Sequence, residues 1–285
     1  MYIEKISDFL KDYQNIKKDE FIKIINLSNK KEFDIYKYEK DFLLTLILIK
    51  FGEKYPDLIF KGGTCLNKVY FPYFRLSEDL DFVLNTDLGA RARKTLLKEY
   101  ENNFIEDLKI LGINLKEERT KFDSYKLAMF TFEYNSILNN SPQTIKIDIS
   151  LKNKLYLPTF SGEIKSNFKD TFLEENIFQP HFINCINLQE ALAEKLRASL
   201  TRTTPAIRDF FDIWYVKQFG NFDFDDKEFK KLLEIKLSEI DYEYTLEENF
   251  ENLKKQVQTD LKPVLNNDFS FDFEEIYEFI LSFKK

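Results

Sequence analysis

In the stretch Glu78-Asp79-Leu80-Asp81-Phe82 two aspartates stand two residues apart, and a strand there puts both carboxylates on one face with Leu80 and Phe82 on the other. Crowded carboxylates repel each other unless a cation lies between them, and hard oxygen ligands of this kind suit Mg²⁺ holding a nucleotide phosphate. A third acid comes from Thr144 to Ser150, whose strict alternation buries Ile145, Ile147 and Ile149 and leaves Lys146, Asp148 and Ser150 on the opposite face. With that strand beside the first, Asp79, Asp81 and Asp148 converge. Such a triad holds one or two Mg²⁺ and activates a hydroxyl for in-line attack on phosphorus. Upstream, Gly62 and Gly63 follow an apolar strand and open a helix, a geometry that lets backbone approach a ligand and offers unpaired N–H groups to an anion.

A second constellation lies on two later helices. Asp212 is the charged group inside the apolar run Phe210-Phe211-Asp212-Ile213-Trp214, so its carboxylate needs a partner, and the candidates are Lys195 and Arg208. Two readings stand side by side: a structural ion pair, or Lys195 laid over nucleotide phosphates as a point charge with Asp212 orienting it. Only 7 of the 42 basic residues are arginine, and Arg75, Arg197, Arg202 and Arg208 fall in these two regions, where a planar fork suits phosphate.

The elements that must position these residues follow from periodicity. Apolar spacing of three and four (Ile3, Ile6, Phe9, Leu10, Tyr13, then Phe42 to Phe51) predicts an N-terminal helical segment, residues 1–56, packed on a core. Residues 57–187 alternate short apolar runs with helical stretches, which predicts a mixed sheet covered by helices. Within them, 79–85, 126–135 and 144–151 read as strands, 64–71 and 92–111 as helices, and 153–187 carries no clear pattern. From 188 to 285 the pattern is helical. The expected fold is α+β, a mixed α/β core with flanking helices and a helical C-terminal domain.

Composition narrows the function. The net charge of −7 is concentrated after residue 220, where 17 acids meet 9 lysines, which argues against wholesale coating of nucleic acid but allows a local basic groove. One histidine removes multi-histidine metal sites and most Ser-His-Asp chemistry, so catalysis must run on carboxylates, Lys, Arg and hydroxyls. Two cysteines 120 residues apart, without a CxxC, make a disulfide framework improbable and point to a reducing cytoplasm. Neither a signal peptide nor a membrane span is expected. Most of the 30 phenylalanines read as core; Phe71, Tyr73 and Phe74, just before the paired aspartates, are the aromatic residues placed to flank a base.

Taken in order, the segments resemble the AbiEii-type nucleotidyltransferase toxins of type IV toxin–antitoxin systems, in the DNA polymerase β-like superfamily. The matching residues are Gly62, Gly63, Thr64 and Leu66; Arg75, Ser77, Asp79 and Asp81; Asp148; Ala191, Lys195, Leu196, Arg197 and Ala198; and Arg208, Asp209 and Asp212. The resemblance implies that Gly63 and Thr64 bind a triphosphate, that Asp79 and Asp81, joined by Asp148, hold Mg²⁺, and that Lys195 and Asp212 complete the active site. Gly62, Arg75, Ser77 and Arg208 join the nucleotide-binding set on the same ground. It further implies transfer of a nucleotide from an NTP to an acceptor hydroxyl, with tRNA 3′ ends an acceptor class, a toxic effect as in abortive infection, and a cognate antitoxin. A small-molecule or protein hydroxyl as acceptor, and a non-catalytic nucleotide- or antitoxin-binding module, are the alternatives.

Overall fold

The computed structural model describes residues 16–122, 124–151, 154–240, 246–266 and 270–284, so the apolar positions Ile3 to Tyr13 lie outside the described residues. The chain divides into two units. One runs to Leu155 and resumes over Thr159–Cys185; the other comprises Tyr156–Pro158 and the chain from Ile186 onward.

The first unit is built on a seven-stranded mixed sheet of order β3-β4-β5-β2-β1-β7-β6. Its strands are β1 (Ile59–Lys61), β2 (Asp79–Val83), β3 (Asn114–Phe122), β4 (Leu127–Asn135), β5 (Pro142–Ser150), β6 (Phe160–Glu163) and β7 (Phe182–Cys185). Strand β2 runs antiparallel to β1 and parallel to β5, and β1 runs parallel to β7. Two helices precede the sheet, α1 (Lys18–Ser28) and α2 (Ile35–Lys54). The apolar run Phe42–Ile49 is fully buried in α2, as its composition demands. Helix α2 approaches β7 so closely that a Cβ on Gly52 would stand 2.4 Å from the carbonyl oxygen of Phe182. Asp34 caps α2, its side chain accepting from the N–H groups of Tyr36 and Lys37.

The helix expected from residue 64 starts at Gly62 as α3 (Gly62–Cys65) and widens into a π-turn over Leu66–Tyr70. Helix α4 (Ala90–Lys109) matches the predicted long helix. Strand β3 was not expected: Asn114-Leu-Lys-Glu-Glu-Arg-Thr-Lys-Phe122 reads as polar chain, and its charges suit the sheet edge it occupies. The unpatterned stretch after residue 153 supplies the short strands β6 and β7.

A buried ion pair braces α3 from behind. Lys68 Nζ lies 2.6 Å from Asp41 Oδ2, with both side chains wholly buried, and also reaches Thr45 Oγ1 at 3.0 Å and the Tyr73 hydroxyl at 3.2 Å. Burial lowers the Lys68 pKa, and Asp41 works in the opposite direction. Nothing in the local sequence separates Lys68 from the surface lysines around it; the signal lay in Asp41 at the head of the apolar run.

The second unit is helical among its described residues: α5 (Leu188–Thr201), α6 (Ile207–Phe219), α7 (Lys227–Ser238), α8 (Phe250–Gln256) and α9 (Phe273–Leu281). Helices α5 and α7 enclose a fully buried pair, Lys236 Nζ to Glu190 Oε1 at 2.7 Å. The Glu190 carboxylate also accepts from the N–H groups of Tyr156 and Leu157, which fixes 156–158 within this unit. Among the described residues no helix is long and apolar enough to cross a membrane.

Replacing Lys68 by alanine leaves Asp41 charged and buried without its cation, so Lys68→Ala should lose about 3–5 kcal/mol of unfolding free energy. Urea denaturation of the first unit's transition, followed by far-UV circular dichroism, measures it.

Candidate active site

Strand alternation does at β2 what the sequence predicts. Leu80 and Phe82 are buried, Phe82 against the rings of Phe51 and Phe60, which leaves Asp79 and Asp81 half-exposed on the other face. Strand β5 buries Ile145, Ile147 and Ile149, and its parallel register sets Asp148 beside Asp81 and Lys146 beside Asp79. On the far side of β2, Lys61 of β1 is the register partner of Asp81. One row therefore crosses the sheet as Lys61, Asp81, Asp148 and Met129, the last from β4.

Adjacent strands lie about 4.8 Å apart, so the carboxylates of Asp81 and Asp148 cannot escape each other's field. Burial and then the charges of Asp81 and Asp79 push the Asp148 carboxyl up to about 7, against an opposing pull from Lys146. The Asp148 Oδ1 atom is buried and has no hydrogen-bond partner among the described residues. A buried carboxylate oxygen with a free lone pair, faced by two more acids, is a donor set that suits a hard divalent cation. The three acids are neighbours on the sheet rather than a finished centre: among the described residues no group of three His, Cys, Asp or Glu side chains is already gathered for ligation.

The glycine turn is built against this row. Gly62 has φ +77°, and a Cβ on it would stand 2.2 Å from Asp81 Oδ2, so only glycine lets the turn meet the aspartate. A Cβ on Gly63 would stand 2.4 Å from Arg75 Nη2 and 3.3 Å from Ser77 Oγ. Gly62, Gly63, Arg75, Ser77, Asp79, Asp81 and Asp148 are thus drawn to one end of the central strands.

Their duties differ from those expected at two positions. The Thr64 side chain is fully buried and its hydroxyl donates to the carbonyl oxygen of Asp79, tying α3 to β2. What Thr64 retains for a phosphate is its main-chain N–H in the first helical turn. Arg75 is 2% exposed, donates to the Leu76 carbonyl oxygen at 2.9 Å and lies under Gly63, so it braces the turn from within rather than presenting its fork to a ligand. The aromatic expectation is also corrected: Tyr73 and Phe74 are core residues, Tyr73 being spent on Lys68, and only Phe71 keeps partial exposure.

Glu78 anchors the start of β2. Burial alone would raise its pKa, but Lys40 (2.9 Å) and Lys37 from α2 outweigh that and hold the carboxyl down to about 2.

Lys195, Arg208 and Asp212 belong to the second unit. Lys195 Nζ bridges Asp212 Oδ2 at 2.7 Å and Asp209 Oδ1 at 2.6 Å, while Arg202 holds the other Asp209 oxygen at 2.8 Å. Asp212 is wholly buried and takes Lys195 as its partner. Arg208, half-buried, enters none of the ion pairs found among the described residues. Sequence reasoning missed the part of Asp209, although Asp209 stands three positions before Asp212 on the same helix face.

Comparison with known proteins bears on the family and the fold. A family model described as nucleotidyl transferase AbiEii toxin, type IV TA system, matches residues 47–279. Among solved structures the fold is similar to MenT4, the nucleotidyltransferase toxin Rv2826c from Mycobacterium tuberculosis H37Rv, at 18% identity and a TM-score of 0.55 over 75% of this chain and 68% of that one. It is also similar to JHP933 from Helicobacter pylori, at 19% identity and a TM-score of 0.50 over 88% of this chain and 91% of the other. No curated protein matches the sequence significantly.

A depressed Glu78 pKa implies stability that is full above the ordinary carboxyl pKa of 4.5 and is lost as pH falls through about 2. Glu78→Gln should therefore be less stable than the parent at pH 7, on the order of 1 kcal/mol, with the difference closing below about pH 2. Thermal unfolding across that pH range reads both.

Proposed function

Because the chain belongs to the AbiEii nucleotidyl transferase toxin family of type IV toxin–antitoxin systems, we propose that it transfers a nucleoside monophosphate from an NTP to the hydroxyl of an RNA acceptor, a tRNA 3′ end being the target class, in a Mg²⁺-dependent reaction. The observation that supports this most is the row of carboxylates on β2 and β5, with the buried, unpartnered Oδ1 of Asp148 facing Asp81 and Asp79.

Asp79 and Asp81, with Asp148, are the residues that would hold the Mg²⁺. When bound, the cation neutralises triphosphate charge and polarises the phosphorus to be attacked. The other work falls to the chain itself. The Gly62-Gly63 turn lets phosphate oxygens approach main-chain N–H groups without a side chain in the way. Ser77, beside Gly63, is the hydroxyl of the nucleotide set still near that turn. Asp148 receives the proton of the acceptor hydroxyl as its oxygen bonds to the α-phosphorus. The bond from that phosphorus to the bridging oxygen breaks, and pyrophosphate leaves with the electron pair. Lys195, oriented by Asp212, carries over from the sequence as the proposed phosphate cation, and Arg208 as a residue of the nucleotide set. The reaction would arrest growth in the cytoplasm, with a cognate antitoxin and defence against phage as the setting.

Incubating the protein with α-labelled NTPs, Mg²⁺ and total RNA should place label in RNA. Asp79→Asn and Asp81→Asn should each cut transfer by at least about 100-fold while leaving the circular dichroism spectrum unchanged. Label in protein or small molecules instead would move the acceptor to another class. Full transfer by either variant would remove the aspartates from the chemistry.

A further inference from the structure

The face of the sheet that carries the carboxylates can be followed outward from β2 by register. Phe51 of α2 meets Phe82, and Phe104 of α4 meets Phe130, so both long helices lie on the opposite, apolar face. Directly paired residues of neighbouring strands share a face. One row on the carboxylate face therefore runs from Asp81 through Asp148 to Met129 and Arg119. The row beside it runs from Asp79 through Lys146 to Thr131 and Glu117.

The charges on these rows are not equivalent. Toward the sheet edge they are matched: Arg119 takes Glu117 at 2.7 Å, and Glu133, the diagonal neighbour of Lys146, is taken by Lys116 at 2.5 Å. Lys146 is exposed and enters none of the ion pairs found among the described residues, not even with its register partner Asp79. Its charge nevertheless acts on the Asp148 carboxyl. A cation left open within one strand spacing of two acids suits an anion that arrives with the substrate.

The position of Lys146 selects which anion. The Gly62-Gly63 turn leaves β1 and meets Asp81 from that side of β2, whereas Lys146 and Asp148 stand on β5, on the other side. With a triphosphate on the glycine turn, the acceptor hydroxyl comes to Asp148 from the β5 side. In a strand that ends in a free 3′-hydroxyl, the nearest phosphate is one ribose away from that hydroxyl. Lys146 lies two residues, about 7 Å, along β5 from Asp148 and on the same face.

We propose that Lys146 binds the last phosphodiester of the acceptor RNA and so sets the terminal hydroxyl against Asp148. The inference rests on the reading of the chain as an RNA-directed nucleotidyltransferase and adds which side chain holds the acceptor's end. An ammonium is a point charge that positions a phosphate without reading the base attached to it, so the contact serves any terminal nucleoside.

The test pairs a change in the protein with a change in the ligand. A labelled short single-stranded RNA with a free 3′-hydroxyl is compared with the same RNA carrying a neutral methylphosphonate as its last linkage, both 2′-O-methylated there. Each is bound to the parent, to Lys146→Gln and to Lys146→Arg, without NTP and with Mg²⁺ held constant. Lys146→Gln should bind the natural RNA roughly tenfold more weakly. The methylphosphonate should weaken binding to the parent by about the same factor and should weaken binding to Lys146→Gln no further. Lys146→Arg should recover most of the affinity, and the unfolding temperatures of both variants should stay that of the parent. In transfer assays Lys146→Gln should raise KM for RNA and leave KM for NTP unchanged. Losses from variant and methylphosphonate that simply add, a rise confined to KM for NTP, or a parent that binds no RNA would each overturn the proposal. A parent that binds RNA through Lys146 but moves no nucleotide upholds the contact and removes the catalytic reading. Transfer to RNA, with Lys146→Gln matching the parent on both ligands, does the reverse.

Discussion

The parallel pairing of β2 with β5 is the constraint from which the site follows. It sets Asp81 beside Asp148 and Asp79 beside Lys146, and it cannot slip, because Leu80, Phe82, Ile147 and Ile149 are locked in the core of the first unit. A shift of one residue would turn the carboxylates inward and those apolar side chains outward. The alternation that stabilises the sheet is thus the same alternation that crowds three acids on its other face. Like charges held together on a half-buried surface raise the energy of the ionised state, and Asp148 shows the effect. Relief of that repulsion is what the proposed cation, and the phosphates it would bring, would supply.

Around this row the sequence spends its unusual residues on rigidity. Gly62 accepts a backbone conformation other residues avoid so that the turn can meet Asp81, and Arg75 fills the space under Gly63. The Thr64 hydroxyl ties α3 to the main chain of Asp79, and Glu78 ties the start of β2 to α2. The Lys68–Asp41 pair fixes the wide turn that follows α3. Residues that resemble ligand-binding groups in the sequence therefore act in part as braces that hold the carboxylate face in place.

How much of this was legible in the sequence depended on whether the signal was local. The alternation in Asp79–Phe82 and Thr144–Ser150 announced both strands and the faces of Asp79, Asp81 and Asp148, because side-chain direction in a strand is a property of neighbours in sequence. The adjacency of those strands was expected, but their order and register arise from long-range pairing that no short window encodes. Strand β3 went unread because an edge strand can be charged on both faces. The burial of Arg75 and Lys68 was hidden for a related reason: a long cationic side chain is an ordinary surface residue until the fold supplies acceptors around it. At Asp212 the local signal sufficed to demand a partner, and only the packing of α5 on α6 chose Lys195 over Arg208.

The central claim is that Asp79, Asp81 and Asp148 act together on one divalent cation. Titration of the protein with Mn²⁺, followed by the electron paramagnetic resonance signal of the free ion, measures this without reference to turnover. The account predicts saturable binding that is lost or greatly weakened when Asp81 or Asp148 becomes asparagine, with the fold unchanged. Binding of equal strength in the parent and in both variants, or no binding in the parent, would contradict it.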